Sequence, residues 1–338
     1  MRRLLPPALL VLMVPVLAPA QGPAPPPRPV PSAKITVKIP AVKAKGKKQG
    51  RPARTNVVQV GIADEKPHMF SDLRFLALGM KIARRSVPWD VARYDWALAE
   101  IDQWLQDARR TGVRPLITFA RSRVASKRHV IPTRADYLAG FKQFRARYPW
   151  VTDFVATNES NYSDPGFKRP ELAARYYIDM RRACPRCKIA AATLLEVPGR
   201  EKATAQWVRR FLKVAKPRPR YWALHNYVSA NRLSLKGTKQ LLKLTKSGEI
   251  WITEVGGLVR RRSSFVGKVK MREGLKHAAN ATRFILDKML RLDSRIKRLY
   301  LFHWDSATPT DTWDSAMIDS AGRPRQALDI LARRLKRR

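Results

Sequence analysis

From residue 56 onward, short β-branched or apolar runs alternate with longer stretches of helical period, and the alternation repeats eight times. This pattern constrains the fold more than any other feature of the chain. Each run is short enough to be a buried parallel strand, and each stretch between runs is long enough to be the crossover helix that parallel pairing requires. The expected strands are Val57 to Gly61, Lys81 to Ser86, Arg114 to Phe119, Asp153 to Thr157, Lys188 to Thr193, Tyr221 to His225, Ile250 to Glu254 and Arg298 to His303. The helical stretches are Tyr94 to Arg110, Arg134 to Tyr148, Pro170 to Arg182, Glu201 to Ala215, Leu235 to Lys246, Arg272 to Leu290 and Pro324 to Arg337. Only a short helix fits around Ser71 to Leu78, so the first βα unit is the weakest. Eight strands in about 250 residues suit an α/β fold closed into a (β/α)8 TIM barrel better than an open sheet.

The segment ahead of the barrel reads differently. Residues 1–20 carry Arg2 and Arg3, the apolar run Ala8 to Leu17 and then Ala18-Pro19-Ala20, the pattern of a signal peptide cut before Gln21. That run is too short for a membrane span, and no later stretch approaches the roughly 20 apolar residues a span needs. Residues 21–55 are rich in Pro, Ala and Lys and lack acids and aromatics, so a disordered linker is expected there, with residues 56–338 forming the catalytic barrel. The expectation is a secreted or cell-surface protein, monomeric, with no membrane span once the signal is removed.

Charge is the next constraint. Net charge is +42, and 11 of the 68 Lys and Arg but none of the 26 acids fall in residues 1–55, so the barrel itself carries +31. Such a field favours anionic partners, and for an exported chain an anionic cell-wall polymer fits better than nucleic acid, for which no motif with interleaved aromatics is present. Cys184 and Cys187 form C-P-R-C after a helical stretch, and in an exported chain a small structural disulfide is the expected outcome. Zinc needs about four ligands, and the remaining histidines are scattered, so no metal site is expected.

Barrel enzymes place their chemistry at the C-terminal ends of the strands. Here those ends are polar while the strand bodies are apolar: Thr157-Asn158-Glu159, Leu224-His225-Asn226-Tyr227, Thr253-Glu254-Val255-Gly256 and Phe302-His303-Trp304-Asp305. Glu159 and Glu254 are far apart in sequence, yet the ends of the fourth and seventh expected strands can face each other across a barrel mouth. A pair of carboxyl groups roughly 5 to 5.5 Å apart is what glycoside hydrolysis with retention requires, whereas roughly 9 Å would suggest inversion.

The ordered set of strand-end residues resembles the clan A glycoside hydrolases, closest to the family 39 and family 5 type barrels, over roughly residues 57 to 335. In FVATNESNY the Asn158-Glu159 pair matches the clan's Asn-Glu, although the Pro that follows in many members is absent. In IWITEVGG, Glu254 matches the glutamate of the seventh strand. The resemblance implies Glu159 as acid/base, Glu254 as nucleophile and Asn158 as a hydrogen-bonding partner of the sugar hydroxyl beside the anomeric carbon. It also implies His225 near the acid/base, Tyr227 on the nucleophile, Arg84 of RRSVPW beside the nucleophile, and Trp304 of LFHWD as the floor under the reacting sugar. Strand alternation favours Arg84 over Arg85 as the inward arginine. Asp64, Glu65, Phe119, Arg121, Asp311 and Trp313 stand near strand ends and are candidates for further subsites. A retaining glycosidase acting on an oligo- or polysaccharide is the expected function, and such hydrolysis requires no cofactor. The alternative is a non-catalytic barrel that binds carbohydrate or cell wall through its basic surface.

Overall fold

The computed structural model describes residues 32–41, 53–163, 166, 168–262 and 269–336. After an initial strand, β1 (Lys34–Ile39), the barrel wall begins with β2 (Arg54–Ala63), β3 (Ile82–Pro88), β4 (Arg114–Ala120) and β5 (Asp153–Val155). It continues with the pair β6 (Lys188–Ala190) and β7 (Thr193–Leu195), then β8 (Tyr221–His225) and β9 (Glu249–Val255). A two-residue strand, β10 (Arg260–Arg261), precedes the last wall strand, β11 (Ile296–Phe302), and pairs antiparallel with β12 (Trp313–Asp314) on the C-terminal side of the wall. The helices are α1 (Leu73–Ala77), α2 (Asp95–Arg110), α3 (Arg134–Arg147), α4 (Pro170–Ala183), α5 (Glu201–Val214), α6 (Tyr227–Asn231), α7 (Lys236–Thr245), α8 (Leu275–Asp287) and α9 (Gln326–Lys336).

Wall strands pair in parallel in the order β6-β5-β4-β3-β2-β11-β9-β8-β7. The ring closes at the fifth position because β6 pairs with β5 and β7 with β8, so one interrupted strand serves both neighbours. Across the interruption Ala191 N donates to Tyr221 O at 2.9 Å and Ala223 N to Ala192 O at 3.2 Å. The expected (β/α)8 barrel is therefore present, with its fifth strand in two halves.

The alternation of each strand divides the core in two. Outward residues such as Ile117, Phe119, Phe154, Trp222 and Ile252 pack against the helices. Inside the barrel Ala63, Ile82, Leu116, Val155, Ala190 and Ala223 surround Trp251 and Tyr300. Toward the N-terminal ends Arg298 fills the lumen, donating to Asp153 Oδ2 at 2.6 Å and lying 4.0 Å over the Trp251 ring. This buried pair plugs the barrel bottom.

Helix α2 shows how sequence sets the outer layer. Ala97, Ile101, Trp104, Leu105 and Ala108 recur at helical spacing and are all buried, and its end at Gly112 takes φ +66°, a left-handed conformation that glycine adopts at little cost. Trp104 meets Phe70 edge-on at 5.0 Å and donates its indole N–H to Asp64 O, which ties the helix to the loop after β2. Replacing it with Ala would cost about 3–5 kcal/mol. Helix α3 starts at a Thr133 cap whose hydroxyl accepts from Asp136 N.

One expectation fails within residues 21–55. Lys34–Ile39 is a strand paired antiparallel with the first half of β2, from Lys34 opposite Gln59 to Ile39 opposite Arg54. Ala33, Ile35 and Val37 are buried while Lys34, Thr36 and Lys38 are exposed, so period-two burial offsets the ordering cost that the Pro- and Lys-rich composition argued against. The last two residues of the expected linker, Arg54 and Thr55, belong to β2. The expected signal peptide, linker residues 21–31 and 42–52, and Arg337 lie outside the described residues. Cys184 and Cys187 are joined in a disulfide, with Cα atoms 5.3 Å apart. Among the described residues no helix is long and apolar enough to cross a membrane.

Candidate active site

The loop after β5 carries Asn158 and Glu159. Asn158 N donates to Phe119 O, and Glu159 then turns into φ +38° while its carbonyl accepts from Tyr162 N and Ser163 N. A non-glycine residue held in the left-handed region costs about 1–3 kcal/mol and persists where its surroundings fix it, most often at functional sites. The turn directs the Glu159 carboxyl inward, where Oε1 lies 2.7 Å from His225 Nδ1. Its second oxygen, Oε2, is buried with no hydrogen-bond partner.

His225 closes β8 and stands between two carboxylates, with Nε2 3.7 Å from Glu254 Oε1. Glu254, near the end of β9, accepts from Arg84 Nη1 at Oε1 and from the Tyr227 hydroxyl, 3.2 Å away, at Oε2. Arg84 is held in turn by Thr118 Oγ1 and Asn158 Oδ1, which accept from Nε and Nη2 at 2.9 and 3.0 Å. One guanidinium thus links the loop after the fourth wall position to the end of the seventh wall strand. Arg85 points outward to Glu100 O at 3.0 Å, as strand alternation requires. One oxygen from each of Glu159 and Glu254, together with a ring nitrogen of His225, lie within 4.8 Å of one another.

Charged and polar partners surround Glu254. Burial pushes the Glu254 carboxyl up, but the Arg84 guanidinium, the His225 ring and the Tyr227 hydroxyl outweigh it and hold the group below the usual glutamate range. Burial and the Glu254 charge push the Tyr227 phenol well above its ordinary value, so it stays protonated and donates. The Glu254 side chain is 15% exposed and that of Glu159 only 3%. A buried carboxyl with one idle oxygen and one hydrogen-bonded to imidazole can hold and return a proton, and an ionised carboxylate beside it can attack carbon. These three residues are also the one group among those described that could ligate a cation, but Arg84 already satisfies Glu254 Oε1 with a positive charge, which disfavours a second cation there.

A cavity of about 430 Å³ opens on the Glu254 side, walled by Tyr227, Phe302, His303 and Trp313, with Asp64, Glu65, Lys66 and Asp311 at its polar margin. Trp313, on β12, meets the Tyr227 ring edge-on at 4.8 Å. Asp64, Glu65, Asp311 and Trp313 therefore stand where the strand-end reading put possible subsites. Two expected residues do not. Trp304 is 1% exposed, donates its indole N–H to Asp72 Oδ2 at 3.1 Å and packs edge-on to Phe75 at 5.5 Å, so it belongs to the core below the β2 loop and forms no floor to the cavity. Phe119 is buried among Phe141, Phe144 and Phe154 on the outer face of β4. The aromatic wall at the end of β11 is Phe302 instead: residue parity places it on the lumen side with Tyr300, but Trp304 shares that parity, so the strand's period alone does not choose between them. Lys66, which donates to Asp64 Oδ2 at 3.1 Å, went unread because an isolated lysine in a loop carries no pattern, and His303, 3.7 Å from the same oxygen, stood in the strand-end group without a role of its own.

A (β/α)8 barrel with two carboxylates at the ends of its fourth and seventh wall positions defines a barrel glycosidase as the class of protein. The family model described as glycosyl hydrolase catalytic core matches residues 133–330, more than half of the chain, and the chain belongs to that family. Among solved structures it is similar to a family 39 glycoside hydrolase from the gut symbiont Bacteroides cellulosilyticus WH2, at 14% identity and TM-score 0.55, covering 90% of this chain and 71% of that one. It is also similar to xylanase 10B from Thermotoga maritima, at 12% identity and TM-score 0.56, covering 82% and 94%. A third likeness is a family 128 exo-β-1,3-glucanase from Aureobasidium namibiae, at 14% identity and TM-score 0.52, covering 82% and 94%. At these identities the likenesses speak for the fold. No curated protein sequence matches the chain.

Proposed function

We propose that the protein hydrolyses a β-linked oligo- or polysaccharide with retention, Glu254 attacking the anomeric carbon and Glu159 first protonating the leaving oxygen and then activating water. The observation that carries this reading is the approach of the two carboxylates to within 4.8 Å at their nearest ligand atoms, a spacing that leaves no room for the extra water an inverting enzyme places between its carboxyls. In this reading the Arg84–Asn158 pair keeps Glu254 ionised and presents Asn158 to the sugar hydroxyl next to the reacting carbon. Glu254→Ala tests it: turnover on aryl glycosides should vanish, and azide should restore it with a product of inverted configuration. Full activity of that variant would sink the proposal.

Export and retention at an anionic envelope polymer are part of the same proposal. The disulfide at Cys184–Cys187 suits an oxidising compartment. At the N-terminal ends of the strands, Arg54, Arg218, Arg220, Arg295 and Lys297 rim an open concavity of about 790 Å³ on the face opposite the mouth. Retention on purified anionic wall polymer that weakens with added salt, with cleavage of a soluble glycoside unaffected, is the expected behaviour.

A further inference from the structure

A third glutamate at the C-terminal ends of the strands, Glu196, is buried and has no part in the chemistry described so far. Glu196 follows β7 directly, is 7% exposed, and its backbone N–H donates to His225 O at 3.0 Å, so it sits one strand away from the imidazole that joins the two carboxylates. Its side chain runs along the C-terminal face into the first turn of α6, where Oε2 accepts from Ser229 N at 2.9 Å.

That amide is one of the first N–H groups of α6, which have no partner within a helix. The residue before the helix, Asn226, is of a type that commonly caps, yet its side chain gives no cap: Nδ2 donates instead to Thr238 Oγ1 at 3.1 Å. Glu196 therefore caps α6 from a different strand. Its carboxyl has little freedom to do otherwise, because the Gly237 backbone lies against it so closely that a Cβ there would fall 1.8 Å from Oε1. A cavity of about 390 Å³, lined by Glu196, Ser229, Gly237 and Leu241, adjoins this contact. At its other end α6 is held by Asn231, whose Nδ2 donates to Gly256 O at 2.9 Å and whose Oδ1 accepts from Leu258 N at 2.7 Å, so the Glu196 contact is the anchor of its first turn.

The first residue of the same short helix is Tyr227, whose hydroxyl is one of the two side-chain donors to Glu254. We propose that Glu196 is a positioning residue for hydrolysis: by capping α6 at Ser229 it sets the place of Tyr227 and so maintains the Tyr227 hydroxyl on Glu254. The inference rests on the assignment of Glu254 as nucleophile.

A double-mutant cycle tests it. Glu196→Ala should lower kcat/KM about tenfold, mainly through kcat, and should move the acid limb of the pH profile upward as Tyr227→Phe does, because both remove the same hydrogen bond from Glu254. In the Tyr227→Phe background the same substitution should change kcat/KM less than about twofold. Glu196→Gln retains an acceptor for Ser229 N and should recover most of the loss. If Glu196→Ala fails to fold, Glu196→Asp, which withdraws the carboxyl by one methylene, is measured in both backgrounds with the same two expectations. Losses that multiply across the two sites, or an acid limb that does not move, overturn the proposal while leaving the nucleophile assignment standing. An active Glu254→Ala protein removes the assignment itself.

Discussion

His225 Nδ1 lies 2.7 Å from Glu159 Oε1, and both side chains are buried. This contact fixes one oxygen of Glu159 and leaves Oε2 as the oxygen that can face a leaving group. His225→Ala should therefore lower turnover about 10²-fold on substrates whose leaving group needs protonation, and far less on aryl glycosides with acidic leaving groups. Initial rates across a leaving-group series check this, and an equal loss along the series would count against it.

Arg84 is the main counterweight to burial at Glu254. The activity attributed to ionised Glu254 is present above that group's pKa and is lost as pH falls through it. Removing the guanidinium in Arg84→Met raises that pKa, so the acid limb of kcat/KM should move up by about 1 unit or more. An unchanged limb would dissociate Arg84 from the nucleophile.

Glu196 supplies a stability prediction independent of catalysis. Burial pushes its carboxyl up to about 7 from an ordinary 4.5, against the Ser229 hydrogen bonds that lower it. A raised acid binds its proton more tightly in the folded state, so stability is complete below about 4.5 and falls as pH rises toward 7. The loss is on the order of 3 kcal/mol. Glu196→Gln does not ionise, and its Tm relative to the parent should rise between pH 5 and pH 8. A constant difference across that range would refute the shift.

Phe302 and Trp304 should separate cleanly. Phe302→Ala strips a wall of the cavity and should raise KM severalfold with little change in Tm. Trp304→Ala empties a buried site and should cost about 3–5 kcal/mol of stability. Thermal melts and steady-state kinetics on both variants decide the matter.

Cys187→Ser opens a loop of very few residues, for which chain entropy assigns about 2 kcal/mol to the disulfide. Tm should fall by a few degrees and activity should persist; loss of activity at temperatures well below the melt would give the C-P-R-C pair a role beyond bracing.

The alternation of apolar runs and helical stretches made the barrel legible, since parallel strands buried on both faces carry an unmistakable composition. Glu159, Glu254, His225, Tyr227 and Arg84 were legible because strand ends at one face converge whatever the loops do. Trp304 shares the parity of Tyr300 and Phe302, so alternation along β11 could not separate the two aromatics, and the motif match fell on the one that is buried against Phe75. Lys34–Ile39 was hidden by composition, although Ile35, Val37 and Ile39 alternate with lysines and a threonine as an edge strand should. The role of Glu196 depends on a contact between the fifth and sixth wall positions, which no local pattern encodes.

Among the described residues, Arg298, Asp153 and Trp251 fill the N-terminal end of the barrel lumen, so Glu159 and Glu254 are reached from the C-terminal mouth. In a double-displacement reaction, the water that completes turnover must come in by the way the first product leaves. Departure and admission are then consecutive events at one doorway, and a first product slow to depart would delay release of the sugar bound to the enzyme, however well poised Glu159 and Glu254 are.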